Sequence, residues 1–126
     1  MTRNDPFRKL LGIEVVEVRE GYAKMTIKTN IQHLNFANSV HGGVIFSLAD
    51  CAFAEACNSG SQMAVAVQVS INYLKPSIEG DTLVAEASRV SEGKTFGLYK
   101  VTVSSGDKLV ASFSGLAYKI PAERKT

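Results

Sequence analysis

Asp50 is the one charged side chain between His33 and Glu55. It falls inside Val44–Asn58, an alanine-rich run without proline or glycine that predicts a long helix, stopped by Ser59-Gly60. The run is apolar almost all round, so the helix is expected to be buried almost all round. A carboxylate in such a place costs several kcal/mol unless something uses or partners it. Aspartate is also a mediocre helix former. The pattern therefore points to a catalytic carboxylate facing a pocket. Capping of a neighbouring loop, or a place on an exposed stripe of the helix, is the bland alternative.

Just upstream stands His41-Gly42-Gly43. The first N–H groups of a helix have no internal partner, and the helix dipole is positive there. Glycines let a ligand approach that backbone closely. Together they form a natural oxyanion site for a carbonyl group. Gly42 and Asp50 are eight residues apart, or about 12 Å along a helix. Within one chain they cannot both act on a single carbonyl carbon. Two antiparallel helices related by a two-fold axis would bring one of each together. If both residues serve one substrate, the chain must form at least a homodimer with two equivalent sites.

The elements that must position these residues are legible from turns and periodicity. Asp5-Pro6 predicts a helix start, with a capping Asp and Pro in the first turn, running through Leu11. Ile13–Val18 and the alternating Ala23–Lys28 predict a hairpin around Glu20-Gly21. Residues 30–41 lack a period and hold both histidines. After the long helix, Ala64–Leu74 alternates, with Val65, Val67, Val69, Ile71 and Tyr73 expected on an apolar face. Pro76 ends it and Gly80-Asp81 turns the chain. Thr82–Val90, Phe96–Ser104 and Leu109–Ile120 follow, joined at Gly93-Lys94 and Gly106-Asp107. Consecutive strands with tight turns predict an antiparallel sheet, and an apolar helix needs cover. The expected fold is α+β, a curved antiparallel sheet wrapped around one long central helix: the hot-dog fold, in a single domain over residues 1–126.

The chain has 126 residues, 45% hydrophobic and 21% charged, with a net charge of +2. This fits one globular domain and excludes whole-chain disorder. No apolar stretch approaches the roughly 20 residues of a membrane span. The charge is too small and scattered to predict a nucleic-acid partner. Cys51 and Cys57 would be separated by about 9 Å of helix, too far for a bridge. Reduced thiols and an N-terminus without an apolar leader lead to a cytoplasmic expectation. The histidines and cysteines lack ligand spacing, so no metal is expected. Cys51 reads as packing. Ala122–Thr126 is expected to be a charged tail.

The combined pattern Asn35-x5-His41-Gly42-Gly43-x6-Asp50 resembles the signature of hot-dog acyl-CoA thioesterases, and in particular the PaaI-like, phenylacetate-degradation group. Ala52-Phe53-Ala54, Asn72–Pro76, Gly80-Asp81 and Gly93-Lys94-Thr95 extend the resemblance from about Phe7 to Ile120. It implies hydrolysis of acyl-CoA, with phenylacetyl- or hydroxyphenylacetyl-CoA as candidates, to free acid and CoA. Coenzyme A is then part of the substrate and no further cofactor is implied. Asp50 would be base or nucleophile. The Gly42 N–H would polarise the thioester oxygen, Asn35 would orient the water or carbonyl, and His41 would position the thioester. Gly43, Tyr73, Leu74, Lys75, Pro76, Gly93, Lys94 and Thr95 fall where the family contacts CoA, with Arg89 and Lys100 as weaker candidates. Some relatives hold the water with a serine on the strand after the helix, where this chain has Ala66. A homotetramer is implied. The alternative is a non-catalytic acyl-CoA-binding module; a hot-dog dehydratase would want an Asp–His pair at another spacing.

Overall fold

The computed structural model describes residues 4–121, so the expected tail at Ala122–Thr126 lies outside the described residues. Asp5 accepts the Arg8 N–H at 3.2 Å, and Pro6 opens α1 (Pro6–Leu11) as its sequence predicts. Strands β1 (Glu14–Arg19) and β2 (Tyr22–Lys28) form the first hairpin. A one-turn 3-10 helix, Ile31–His33, leads to α2 (Gly42–Cys57). Then come β3 (Ala64–Tyr73), β4 (Thr82–Glu92), β5 (Phe96–Ser105) and β6 (Lys108–Lys119).

All six strands join one antiparallel sheet in the order β1-β2-β4-β5-β6-β3. The curved sheet wraps α2, giving the hot-dog arrangement expected. Leu48, Ala49, Ala52 and Phe53 of α2 are buried against Met25, Ile27, Leu83, Val101 and Phe113. Phe53 stacks obliquely on Phe113 and edge-on to Tyr99, with ring centroids 5.8 and 5.7 Å apart. The contact needs Gly115 on β6, because a Cβ there would lie 2.8 Å from the Phe53 ring. That missing side chain lets the helix sink onto the sheet.

Three expectations are corrected. First, α2 begins at Gly42, so both glycines belong to its first turn. Second, α2 is not covered all round. The sheet covers one side, Ala54 is exposed, and Ser47, Asp50 and Cys57 are half-buried.

Third, β3 does not keep one apolar face along its length. It pairs with β6 and forms a free edge of the sheet, while β4 lies between β2 and β5. The register of β3 on β6 also slips between Ala66 and Gln68. Before this bulge Ala66 pairs with buried Ala117; after it Val69 and Ile71 pair with Gly115 and Phe113. The bulge therefore exchanges the two faces of the strand. Ala66 falls on the same face as buried Ala64 yet is itself exposed, and Val65 and Val67 are left 44% and 53% exposed.

Candidate active site

The loop before α2 is braced by its own polar side chains. The His33 ring accepts the Asn30 N–H at Nδ1 (3.0 Å), and its Nε2 reaches the Leu11 carbonyl at 3.0 Å. Both ring nitrogens are thus committed, which makes His33 a strut. Asn35 Oδ1 accepts N–H groups from Ala37 at 2.8 Å and Ser39 at 3.1 Å. This turn carries Asn38 at φ 63°, a left-handed conformation that asparagine tolerates. With its oxygen so occupied, Asn35 has its amide Nδ2 left to offer a ligand.

His41 is the N-cap of α2, and its Nδ1 accepts the Gly43 N–H at 2.8 Å. The neutral ring therefore carries its proton on the exposed Nε2. Among the described residues, nothing accepts the Gly42 N–H. The carbonyl of Gly42 is held by the Tyr73 hydroxyl, which donates to it at 3.0 Å. A Cβ on Gly42 would meet the Tyr73 ring at 3.3 Å. Gly42 and Tyr73–Pro76 share a groove of about 300 Å³ with Val40 and Ile45.

Asp50 lies half-buried two turns on, and no group among the described residues hydrogen-bonds its carboxylate. It opens into a separate, largely apolar cavity of about 230 Å³ lined by Phe53, Ala54, Cys57, Ala64, Val65 and Ala66. Burial, assisted by the negative charge of Asp5, pushes its carboxyl above the ordinary carboxylate range. Such an acid is a better proton acceptor than a solvated one. Burial also pushes the Cys51 thiol up to about 12, which makes it inert, in keeping with a packing role. Ala66 lines the same cavity as Asp50, and its methyl group offers no hydrogen bond to a water there.

The expected contacts for CoA divide as well. Tyr73 pairs with Ala111 at one end of β6, while Thr95 bonds Lys119 at the other, through a 2.8 Å N–H···O contact. Eight residues of strand separate those ends, roughly 26 Å. Gly93 is fixed there by Lys119, whose Nζ donates to its carbonyl at 2.7 Å, and Lys94 projects into solvent. Arg89 is engaged by Glu92 at 3.4 Å and by Tyr99, and Lys100 lies on the outer face of the sheet.

One chain thus carries two separate groups of the predicted site residues. The first comprises Asn35, His41, Gly42, Gly43 and Tyr73–Pro76. The second comprises Asp50 with its cavity, at the end of the sheet that bears Gly93, Lys94 and Thr95. The cavity lining of Phe53, Ala54 and Cys57 escaped the sequence reading, although its signal was present: these residues follow Asp50 at i+3, i+4 and i+7, one face of a helix. Among the described residues, no three His, Cys, Asp or Glu side chains cluster as metal ligands. Among the described residues, no helix is long and apolar enough to cross a membrane.

Residues 37–112 match the family model of the thioesterase superfamily. The acyl-coenzyme A thioesterase PaaI of Escherichia coli is 44% identical over 121 residues, 95% of this chain and 86% of that protein. The structure of that PaaI protein, from the phenylacetic acid degradation operon, superposes with a TM-score of 0.91 at 42% identity, covering 94% and 87% of the two chains. Human acyl-coenzyme A thioesterase 13 is 29% identical over 116 residues, 88% of this chain and 83% of that one. A Streptococcus mutans protein solved with acetyl CoA superposes with a TM-score of 0.83 at 31% identity, covering 89% and 91%. The fold and site define a hot-dog thioester hydrolase. This chain belongs to the thioesterase superfamily.

Proposed function

We propose that the chain hydrolyses acyl-CoA thioesters to the free acid and CoA within a two-fold dimer. The observation that carries this reading is the division of the machinery: a polarising N–H without an acceptor at Gly42, and an unpartnered carboxylate at Asp50 about 12 Å away along the same helix. Each is half of a site that a second copy completes.

The free edge of β3 supports the mode of assembly. A ten-residue outer strand with exposed Val65 and Val67 is a template for pairing. Antiparallel pairing with the same strand of a second copy would set the Tyr73 end of one chain beside the Ala64 end of its partner. Gly42 of one subunit would then face Asp50 of the other. The turn bearing Gly93, Lys94 and Thr95 would approach the other subunit's Tyr73–Pro76. The two sets of CoA contacts, separated within a chain, would come together on one ligand.

In the proposed step the thioester oxygen accepts the Gly42 N–H at the positive end of α2. His41 and Asn35 line the approach. The Asp50 carboxylate of the facing subunit takes a proton from water as the water oxygen bonds to the carbonyl carbon. The oxyanion collapses, the C–S bond breaks, and the CoA thiolate recovers the proton. Direct attack by Asp50, through a mixed anhydride that water then opens, uses the same placement. Either route uses only protein groups and water. Lys75 and Lys94 supply the cations for the CoA phosphates. Phenylacetyl and hydroxyphenylacetyl thioesters are the first to try, given the operon of the E. coli relative. Two unbridged thiols suit a reducing, cytoplasmic setting.

The test is thiol release from a panel of phenylacetyl-, hydroxyphenylacetyl-, benzoyl- and straight-chain CoA thioesters, with Asp50→Ala beside the wild type. Release that depends on Asp50 supports the reading. Tight CoA binding without release from any thioester would replace it with the non-catalytic binding module.

A further inference from the structure

The cavity beside Asp50 ends at a thin wall. Cys57 and Ala64 line that cavity and also a second one, of about 160 Å³, on their far side. The two spaces differ in chemistry. The first is walled by Phe53, Ala54 and Val65; the second is polar, with Arg89, Tyr99 and Lys119 among its lining. The wall is pinned by Asn58, which caps α2. Its amide donates to the Ala54 carbonyl at 2.9 Å and to the Ala64 carbonyl at 3.0 Å, and its Oδ1 accepts the Ala64 N–H at 2.8 Å. These bonds fasten the first residue of β3 to the last turn of α2, so the gap between Cys57 and Ala64 is set by a three-point clamp. The Cys57 thiol itself donates to the Ala54 carbonyl at 3.5 Å, which fixes its direction.

We infer that Cys57, with Ala64, is the acyl-length stop of this enzyme: a specificity-determining pair that ends the acyl pocket and keeps the chain out of the polar cavity behind. The inference rests on the thioesterase reading above, with the acyl group lying in the cavity next to Asp50. Apolar acyl carbons gain by filling the first cavity. Pushing past the wall would set them against the Arg89 and Lys119 charges, at a cost in desolvation. Only small side chains, a thiol and a methyl, occupy the two wall positions, so a change of size at Cys57 moves the stop.

The experiment is kcat/KM over a straight-chain series, acetyl- to dodecanoyl-CoA, for wild type, Cys57→Leu and Cys57→Ala. The quantity read is the ratio of the longest to the shortest acyl group turned over by the wild type, because a ratio is independent of the fraction of active protein. The larger side chain shortens the pocket, and the ratio should fall at least tenfold in Cys57→Leu, since a single misplaced methylene commonly costs about that much. The smaller one thins the wall, and the ratio should rise at least threefold in Cys57→Ala. If Cys57→Leu fails to fold, Cys57→Ala decides. Ratios within twofold of wild type in the folded variants overturn the stop while leaving the thioesterase reading intact. A wild type that hydrolyses no member of the series or of the aryl panel overturns both.

Discussion

The Tyr73 hydroxyl donates to the Gly42 carbonyl at 3.0 Å, tying the last residue of β3 to the first residue of α2. The peptide so held adjoins the Gly42 N–H, the group proposed to polarise the thioester oxygen. Tyr73→Phe keeps the ring that walls the groove and removes the tether. We expect kcat to fall by about three- to tenfold, the span of one hydrogen bond, with a smaller change in KM. Tyr73→Ala should raise KM as well. A Tyr73→Phe enzyme with wild-type kcat would show that α2 aims its N–H unaided.

Asp50→Asn preserves shape and removes the proton acceptor. Loss of a positioned base typically costs 10²–10⁴-fold, so kcat should fall at least about a hundredfold while the variant remains a dimer. In the wild type, kcat/KM should decline on the acid side through a value above the ordinary carboxylate range, because burial raises the Asp50 carboxyl. An acid limb at an unperturbed carboxylate value, or none, would assign the proton transfer to another group.

The same shift makes a stability prediction. Folded Asp50 holds its proton more tightly than the unfolded chain does. Its stabilising contribution is complete below the unfolded value, about 3.9, and is lost as pH rises through the raised folded value. Ionised Asp50 therefore costs stability at neutral pH. Asp50→Asn should melt at a higher temperature than wild type near pH 7.5, with the difference shrinking toward pH 4. Thermal melts at the two pH values check the sign.

Lys94 projects from the β4–β5 turn and is assigned to CoA phosphates bound largely to the facing subunit. Lys94→Ala should raise KM for acyl-CoA up to roughly fivefold, the scale of one exposed charge pair, with little change in kcat. The effect should fade as salt is added. An unchanged KM at low salt would place the phosphates elsewhere.

Val67, in the bulge of β3, is exposed at the edge proposed to pair. Val67→Lys puts a charge on that edge, a device that blocks strand pairing. Light scattering should report a monomer, and turnover should drop with it, because each chain holds only half of the machinery. A fully active monomer would refute the shared site.

What the sequence determined was local. Asp50 stands out because a lone carboxylate in an apolar helix conflicts with the cost of burying charge, and the conflict is visible without coordinates. Asp5-Pro6, Glu20-Gly21, Gly93-Lys94 and Gly106-Asp107 mark a helix start and three hairpins through short-range backbone chemistry, which is read within four residues. The separation of Gly42 from Asp50 follows from helix rise alone, and with it the need for a second chain if both serve one substrate. What only the tertiary structure decided was which distant segments meet. β3 lies beside β6 and not beside β4, the next strand in the chain, and nothing within β3 encodes which later strand it will meet. The bulge after Ala66 arises in the pairing with β6, and it puts Val69 and Ile71 on the opposite face from Val65, against simple alternation. Tyr73 on Gly42, and the wall that Asn58 pins between two cavities, are likewise products of packing. Periodicity reports which faces a segment has; only the meeting of segments, set by long-range packing and register, decides what each face touches.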